Sequence, residues 1–201
     1  MSIQGQIRHR INGKGRGAVF TPKDFLDLGG RAAVDQALSR LARGGVISRL
    51  RRGVYYFPKQ HPRLGTLSPD ADAVARAVVG HAPLQISGAA AANALGLSTQ
   101  VPVQTVYYSN RAVRDVPIGR RSISIKRASP RQLAGADRSF GPVIQALKHL
   151  GPDRVDDRVL STLRRRLSPT MKKDLRTFVL RNPHDVADWM RQPIDQLTEG
   201  D

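Results

Sequence analysis

The sequence contains no cysteine, and only one of its 16 acidic residues, Glu199, is a glutamate. Without cysteine the chain cannot form a disulfide framework, a zinc site that uses thiolates or a thiol nucleophile. It also lacks an apolar run of the ~20 residues that a membrane-spanning helix needs. Its first residues lack the apolar stretch of a secretory signal. We therefore expect a cytoplasmic protein with no membrane partner.

Positive charge is what the chain has in excess. Its 33 Lys and Arg against 16 Asp and Glu give a formal charge of +17 over 201 residues. The excess is concentrated in residues 1–66, which hold 13 Lys and Arg and only 3 Asp. Because such an excess repels itself in a compact chain, it usually serves a polyanionic partner, and nucleic acid is the first candidate.

Residues that could perform chemistry do not cluster along the chain. The acidic pairs stand where helices are predicted to begin, a position that favours Asp through capping and the helix dipole. The glycine-rich stretch at 13–17 lacks the spacing and the hydroxyl of a phosphate-binding loop. We expect no catalytic residue, no metal site and no cofactor, and hence no enzyme. The histidines show no metal-ligand spacing; they are His9, His61, His81, His149 and His184.

The first 60 residues show the order of elements that is typical of a winged helix-turn-helix. Ser2 can cap a first helix, and Thr21 with Pro22 can begin a short second one. Apolar spacing predicts a third helix over residues 31–43, closed by glycines. Two strands follow at 46–50 and 53–57, with a basic turn between them.

DNA-contacting residues are expected on the face of the third helix that lies opposite its apolar side. Arg can grip guanine and Gln can grip adenine through paired hydrogen bonds in the major groove. The candidates on this helix are Arg31, Ala32, Gln36, Ser39, Arg40 and Arg43. The basic hairpin, suited to phosphates or the minor groove, adds Arg49, Arg51 and Arg52. Secondary basic contacts are expected from Lys14, Arg16, Lys23, Arg121, Lys126 and Arg127.

Two expectations concern the end of this segment. Strand alternation places one of Tyr55 and Tyr56 in the core and the other at the surface. The stretch 58–65 holds two prolines and a glycine, which stop both helix and sheet, so it reads as a linker. We therefore predict a winged-helix domain over 1–60 and a separate C-terminal domain over 67–201.

The C-terminal domain is predicted to be α/β and to end in a helical bundle. Residues 67–135 suggest two helices and a small sheet with strands at 103–108 and 121–127. Residues 140–192 show apolar stripes at helical spacing, the last of which holds Val186, Trp189 and Met190. The fold class is therefore α+β and helix-rich.

The stretch VFTPKDFLDLGGRAAVDQALSRL, from Val19 to Leu41, resembles the N-terminal domain of AbiEi-type antitoxins of type IV, abortive-infection toxin–antitoxin systems. Gly45–Arg49 and Arg52–Tyr56 share this resemblance. It continues more loosely through Ser87–Ala91 and Leu95–Pro102 to about residue 130. The resemblance implies a winged-helix domain that binds inverted repeats in its own promoter. It also implies a C-terminal domain that counters a nucleotidyltransferase toxin.

These observations predict a sequence-specific repressor and antitoxin that autoregulates its operon. Its partners would be double-stranded promoter DNA, bound by a monomer or a dimer, and a cognate nucleotidyltransferase toxin. Two alternatives stay open. A basic winged helix can also bind RNA, and the chain can instead be a protein-interaction module with only non-specific affinity for DNA.

Overall fold

The computed structural model describes residues 2–100 and 104–199. These residues form eight α-helices and three small sheets, which confirms the predicted α+β class. They divide into two compact units. The first unit runs up to Gly80 and also includes Asp115–Ile123, and the second contains the rest. The predicted division between residues 60 and 67 stays a prediction.

The elements of the first unit's leading segment follow the predicted order. Ser2 caps the first helix through its Oγ, which accepts from the Gly5 N–H at 3.2 Å. A short 3-10 turn takes the place of the predicted second helix. The segment comprises α1 Ile3–Lys14, β1 Val19–Phe20, the 3-10 turn Pro22–Phe25, α2 Arg31–Arg43, β2 Ser48–Arg51 and β3 Val54–Tyr56.

The three strands form one antiparallel sheet in the order β1-β3-β2. Phe20 pairs with Tyr55, and the two rings stack with centroids 6.3 Å apart. Phe25 meets Phe20 edge-on at 5.5 Å. These rings and the apolar sides of α1 and α2 form the core of the unit, which buries Ile7, Ile11, Phe20, Phe25, Val34, Ala37, Leu38, Leu41, Ile47, Tyr55 and Phe57.

The expectation for Tyr55 and Tyr56 is wrong, because both side chains are buried. The chain after β3 folds back over Tyr56. The Tyr56 hydroxyl donates to the Leu67 carbonyl at 2.9 Å and accepts from the Lys59 N–H at 3.2 Å. A helix that follows, α3 Ala71–Val79, also packs near β1 and β3. Since both faces of this sheet are covered, strand alternation does not expose a side chain here.

The stretch read as a linker contains a second, two-stranded hairpin. It is formed by β4 Gln60–His61 and β5 Gly65–Thr66, whose residues are all exposed. The prediction that proline and glycine would exclude sheet from this stretch is therefore wrong. Pro62 lies in the turn and Gly65 has a φ of 69°, so both residues shape the hairpin.

Four strands form the third sheet, in the order β6-β7-β9-β8. The predicted strands are confirmed as β7 and β9, although Val103 lies outside the described residues. The other two strands are too short or too polar for the pattern to have shown them. The strands are β6 Leu84–Ile86, β7 Gln104–Ser109, β8 Val113–Ile118 and β9 Arg121–Arg127.

The remaining helices all lie in the second unit. They are α4 Gly88–Ala94, α5 Gly141–Leu150, α6 Asp157–Arg166, α7 Pro169–Arg181 and α8 Arg191–Thr198. The predicted last helix is misplaced. Its expected residues Val186, Trp189 and Met190 precede α8, and the latter two lie in a 3-10 turn, Asp188–Met190. Val186 and Met190 are nevertheless buried, so the apolar spacing marked core residues rather than a helix. No helix within the described residues has both the length and the apolar character to cross a membrane.

Small residues let α4 and α5 approach each other closely. Ala91 and Ala92 on α4 are fully buried and pack with Ala146 on α5. At Gly88 a Cβ atom would lie 2.5 Å from the His149 Cβ and 2.7 Å from the Gln145 carbonyl oxygen. Gly88 and the buried alanines at 90–92 therefore form the surface on which α4 packs closely against α5.

Replacing Gly88 by Ala is expected to destabilise the protein by about 1–3 kcal/mol, because the new methyl group would push α4 away from a backbone atom of α5. Urea unfolding followed by circular dichroism measures the change. Gly13→Ala is the control, because nothing lies within 4 Å of that position and it is helical. The control should be neutral or stabilise by about 0.5 kcal/mol. Equal stability of Gly88→Ala and the parent protein would contradict the close helix contact.

Candidate nucleic-acid interface

Helix α2 is fixed by burial along one side. Val34 and Leu38 are completely buried, and Ala37 and Leu41 almost completely, within the core of the first unit. Gly30 precedes the helix without a side-chain cap, and Gly44 ends it. Since the buried stripe leaves the helix no freedom to rotate, the structure determines which residues face solvent.

The solvent-facing side of α2 carries most of the residues predicted to read bases. Ala32, Gln36, Arg40 and Arg43 are exposed, and Ser39 is half-buried. Arg31 is exposed but engaged, because its Nε donates to the Asp35 carboxylate at 2.9 Å. The face therefore offers an amide and two arginines with neutral small residues between them.

The β2–β3 hairpin, which follows α2 in the chain, adds further positive charge. Arg49 and Arg52 are exposed, and Arg52 with Gly53 forms the turn. Arg51 is half-buried, and its Nη1 atom is enclosed without a hydrogen-bond partner among the described residues. Of the three hairpin arginines, Arg49 and Arg52 are thus the two that are open to a ligand.

The acidic residues of the first 66 positions are all used within the unit. Asp27 pairs with Arg10 and Asp35 with Arg31. The Asp24 carboxylate accepts from the Thr21 N–H at 2.6 Å and from the Thr21 hydroxyl at 3.0 Å, in a capping box. No carboxylate in the described part of this segment is left over to neutralise the arginines of α2 and the hairpin.

The secondary basic residues are divided between the two units. Lys14 and Lys23 are exposed in the first unit. Arg16 has a structural role there, because its Nη1 donates to the Pro58 carbonyl at 3.0 Å and its guanidinium lies 5.0 Å from the Phe57 ring centroid. On β9 the exposed Arg121 belongs to the first unit, whereas the exposed residues Lys126 and Arg127 belong to the second.

Sequence reasoning missed two groups of basic side chains. Lys59 and Arg63 are exposed in the stretch predicted to be a linker, the first just before the β4–β5 hairpin and the second in its turn. Arg131 and Lys148 line a cleft in the second unit together with Trp189. No sequence signal marks these two basic residues as a group, because they come from separate segments of the chain. Gly65, which lies in the second strand of the short hairpin, is the sequence signal that could have indicated Lys59 and Arg63.

Comparison with protein-family models matches residues 6–175 to a family described as "Family of unknown function (DUF6088)". The match begins in α1, contains the whole of α2 and of the basic hairpin, and ends in α7. No curated protein matches the sequence.

An exposed ion pair ties α1 to the turn that precedes α2. Both oxygens of Asp27 accept from Arg10, at 2.7 Å each, and Arg10 also donates to the Asp24 carbonyl at 3.2 Å. The hydrogen bonds from Arg10 hold the pKa of Asp27 below its usual value, and burial opposes them. The same hydrogen bonds raise the pKa of Arg10. Because the folded pKa of Asp27 is lowered, the pair stabilises the fold above the usual Asp pKa, and this stabilisation is lost as the pH falls through the lowered value.

Asp27→Asn is expected to lower the stability slightly at neutral pH, since the pair is exposed and screened by solvent. The stability difference between this variant and the parent protein should shrink as the pH falls through and below the usual pKa range of Asp. Thermal unfolding over a pH series measures it. Asp174→Asn, a change of the same charge at an exposed site on α7, should show no such trend. A stability difference that did not change with pH would rule out the ion pair as its cause.

Proposed function

This chain belongs to the DUF6088 family, and because the family is one of unknown function, we propose a function from the residues themselves. The first unit is a winged helix-turn-helix that binds duplex DNA in a sequence-specific way. In this assignment α2 is the helix that enters the major groove, and the β2–β3 hairpin is the wing that contacts the backbone.

The observation that carries this proposal is the two-sided character of α2. Gln36, Arg40 and Arg43 are exposed on a helix whose opposite side is locked into a core. The 13 residues of α2 rise about 20 Å, enough to lie along a major groove and present several side chains to base edges. Arg and Gln are the side chains that make paired hydrogen bonds to guanine and adenine.

Affinity and specificity come from different residues in this arrangement. Arg40 and Gln36 read bases, whereas Arg49 and Arg52 neutralise phosphates from the hairpin. Phosphate contacts release counterions and act on every sequence alike. The absence of a spare carboxylate in the described part of residues 1–66 favours this electrostatic attraction.

Duplex DNA is favoured over RNA for a geometric reason. The major groove of A-form RNA is deep and narrow, and a helix such as α2 does not enter it. The major groove of B-DNA is about 12 Å wide and admits an α-helix. RNA binding stays the second candidate, since the exposed arginines would attract any polyanion.

The regulatory role rests on the resemblance of residues 19–56 to AbiEi-type antitoxins. On that basis the protein represses its own operon by binding promoter repeats. The C-terminal domain predicted over residues 67–201 counters a nucleotidyltransferase toxin encoded alongside it. Copurification with the product of the neighbouring gene tests this part separately, because toxin binding needs no DNA.

Fluorescence anisotropy with DNA from upstream of its own gene tests the DNA proposal. The full chain should bind this DNA ~10³-fold or more tightly than a scrambled duplex at physiological salt. Log K should fall with log salt by about 0.9 for each phosphate neutralised. If both duplexes bound with equal affinity, and that affinity was lost at higher salt, the binding would be non-specific and the proposal of sequence-specific binding would be wrong. Tighter binding to duplex or single-stranded RNA at matched salt would favour the second candidate.

Substitutions on α2 and on the hairpin distinguish base recognition from general electrostatic attraction. Arg40→Ala or Gln36→Ala should each cost about 1–3 kcal/mol on the specific site and relax discrimination at one base pair. Arg52→Ala should weaken specific and scrambled DNA about equally. Arg165→Ala, on α6 in the second unit, removes the same charge and should change neither affinity appreciably. If Arg40→Ala weakened both duplexes equally, the base-reading role of this residue would be wrong.

A further inference from the structure

A cleft of about 410 Å³ opens in the second unit, and none of the residues that line it is among those assigned to DNA. Three segments form it: the turn after β9, the end of α5 with the chain that follows, and the 3-10 turn before α8. Its volume lies within the usual range for small-molecule sites, about 300–1,000 Å³. The side chains that matter are Ser129, Arg131, Gln132, Lys148, Pro152 and Trp189.

One wall of the cleft is held in place by hydrogen bonds. Gln145, which is only 5% exposed on α5, donates from Nε2 to the Gln132 carbonyl at 2.9 Å. The Gln132 side-chain oxygen accepts from the Ser129 N–H at 3.1 Å. Arg131 lies in the chain between Ser129 and Gln132, which these bonds hold, so its backbone position is fixed relative to α5.

Two cations meet at this wall. The Lys148 ammonium donates to the Arg131 carbonyl at 2.9 Å and to the Asp185 carbonyl at 3.3 Å. An ammonium has three protons, so one is left to donate. Among the described residues, the exposed Arg131 guanidinium makes no hydrogen bond or ion pair, which leaves its five donors available.

The local field favours an anion. Burial lowers the pKa of Lys148 below its usual value, and the positive charge of Arg131 lowers it further. Asp185 acts in the opposite direction but is the smallest of the three influences. Because the charged form of Lys148 is penalised here, a negative ligand group between Lys148 and Arg131 would relieve that penalty.

An aromatic side chain lines the same cleft as the two cations. Trp189 is half-buried, packs against the helical core and lines the cleft. Within the described residues its indole ring has no aromatic stacking partner, although stacked rings occur elsewhere in the chain. Pro152 also lines the cleft and adds a second apolar surface. Such a surface suits a flat ring of a ligand.

We propose that this cleft binds a small molecule in which an oxyanion, a phosphate or a carboxylate, is joined to a planar aromatic group. Lys148 and Arg131 would hold the oxyanion, for which a guanidinium fork and an ammonium are suitable donors. Trp189 would hold the ring. None of its lining residues is assigned to DNA, so this proposal stands or falls independently of the DNA proposal.

Trp189 is the only tryptophan of the protein, so its fluorescence reports this cleft selectively. Titration of the DNA-free full chain with AMP and with benzoate tests the phosphate and carboxylate forms of the ligand. A saturable change in emission is expected with at least one of them. Adenosine, which has the ring without the anion, and ribose 5-phosphate, which has the anion without the ring, should bind at least about tenfold more weakly.

Substitutions then assign the binding to these residues. Arg131→Gln and Lys148→Met should each weaken the affinity for the ligand by about tenfold or more. This is the usual effect of losing a charge-assisted hydrogen bond. Arg165→Gln and Lys173→Gln remove the same charge from exposed positions on α6 and α7 and should leave the affinity unchanged. Arg131 is exposed, so its variant keeps the test valid even if Lys148→Met unfolds, which circular dichroism would reveal.

Two results would overturn the proposal. The first is no saturable binding of either AMP or benzoate, whether or not a short single-stranded oligonucleotide binds in their place. The second is an affinity for the bound ligand that Arg131→Gln leaves unchanged.

Discussion

The burial of one side of α2 is the constraint on which the first unit depends. Val34 and Leu38 are completely enclosed, and the aromatic cluster of Phe20, Phe25 and Tyr55 belongs to the same core. A helix locked in this way cannot turn to hide its polar side. The exposure of Gln36 and Arg40 is therefore a consequence of the core, and the proposed reading surface is as rigid as the packing beneath it.

The ion pairs and hydrogen bonds of the first 66 residues determine which of their charged side chains stay available. The few acids of the first 66 residues are consumed by a capping box and two ion pairs, all inside the unit. Arg10, Arg16 and Arg31 are likewise held by protein groups. The arginines on the outer side of α2 and at the β2–β3 hairpin stay open, among them Arg40, Arg43 and Arg52. Positive charge is therefore available on the surface proposed to meet DNA.

The second unit uses small residues where the first uses aromatic rings. Gly88 and the alanines of α4 bring two helix backbones together. The end of α5, beyond this contact, carries Lys148 toward the turn at 129–132 and the 3-10 turn of Trp189. Charge is nearly balanced in residues 141–201, so the local pairing of two cations with an indole is a feature of geometry and not of composition.

The sequence alone was sufficient to predict the bounds of α2, its inward and outward residues and the hairpin turn, because periodicity and glycine punctuation act locally. It did not show that Tyr55 and Tyr56 are both buried, that 60–66 forms a hairpin or that Trp189 precedes the last helix. Nor did it show that Arg16 and part of Arg51 are engaged or enclosed by the fold. These outcomes depend on segments distant in the chain that cover a strand, accept a hydrogen bond or close a cleft. Only the tertiary structure decides them, because a local pattern carries no information about which distant segment lies against it.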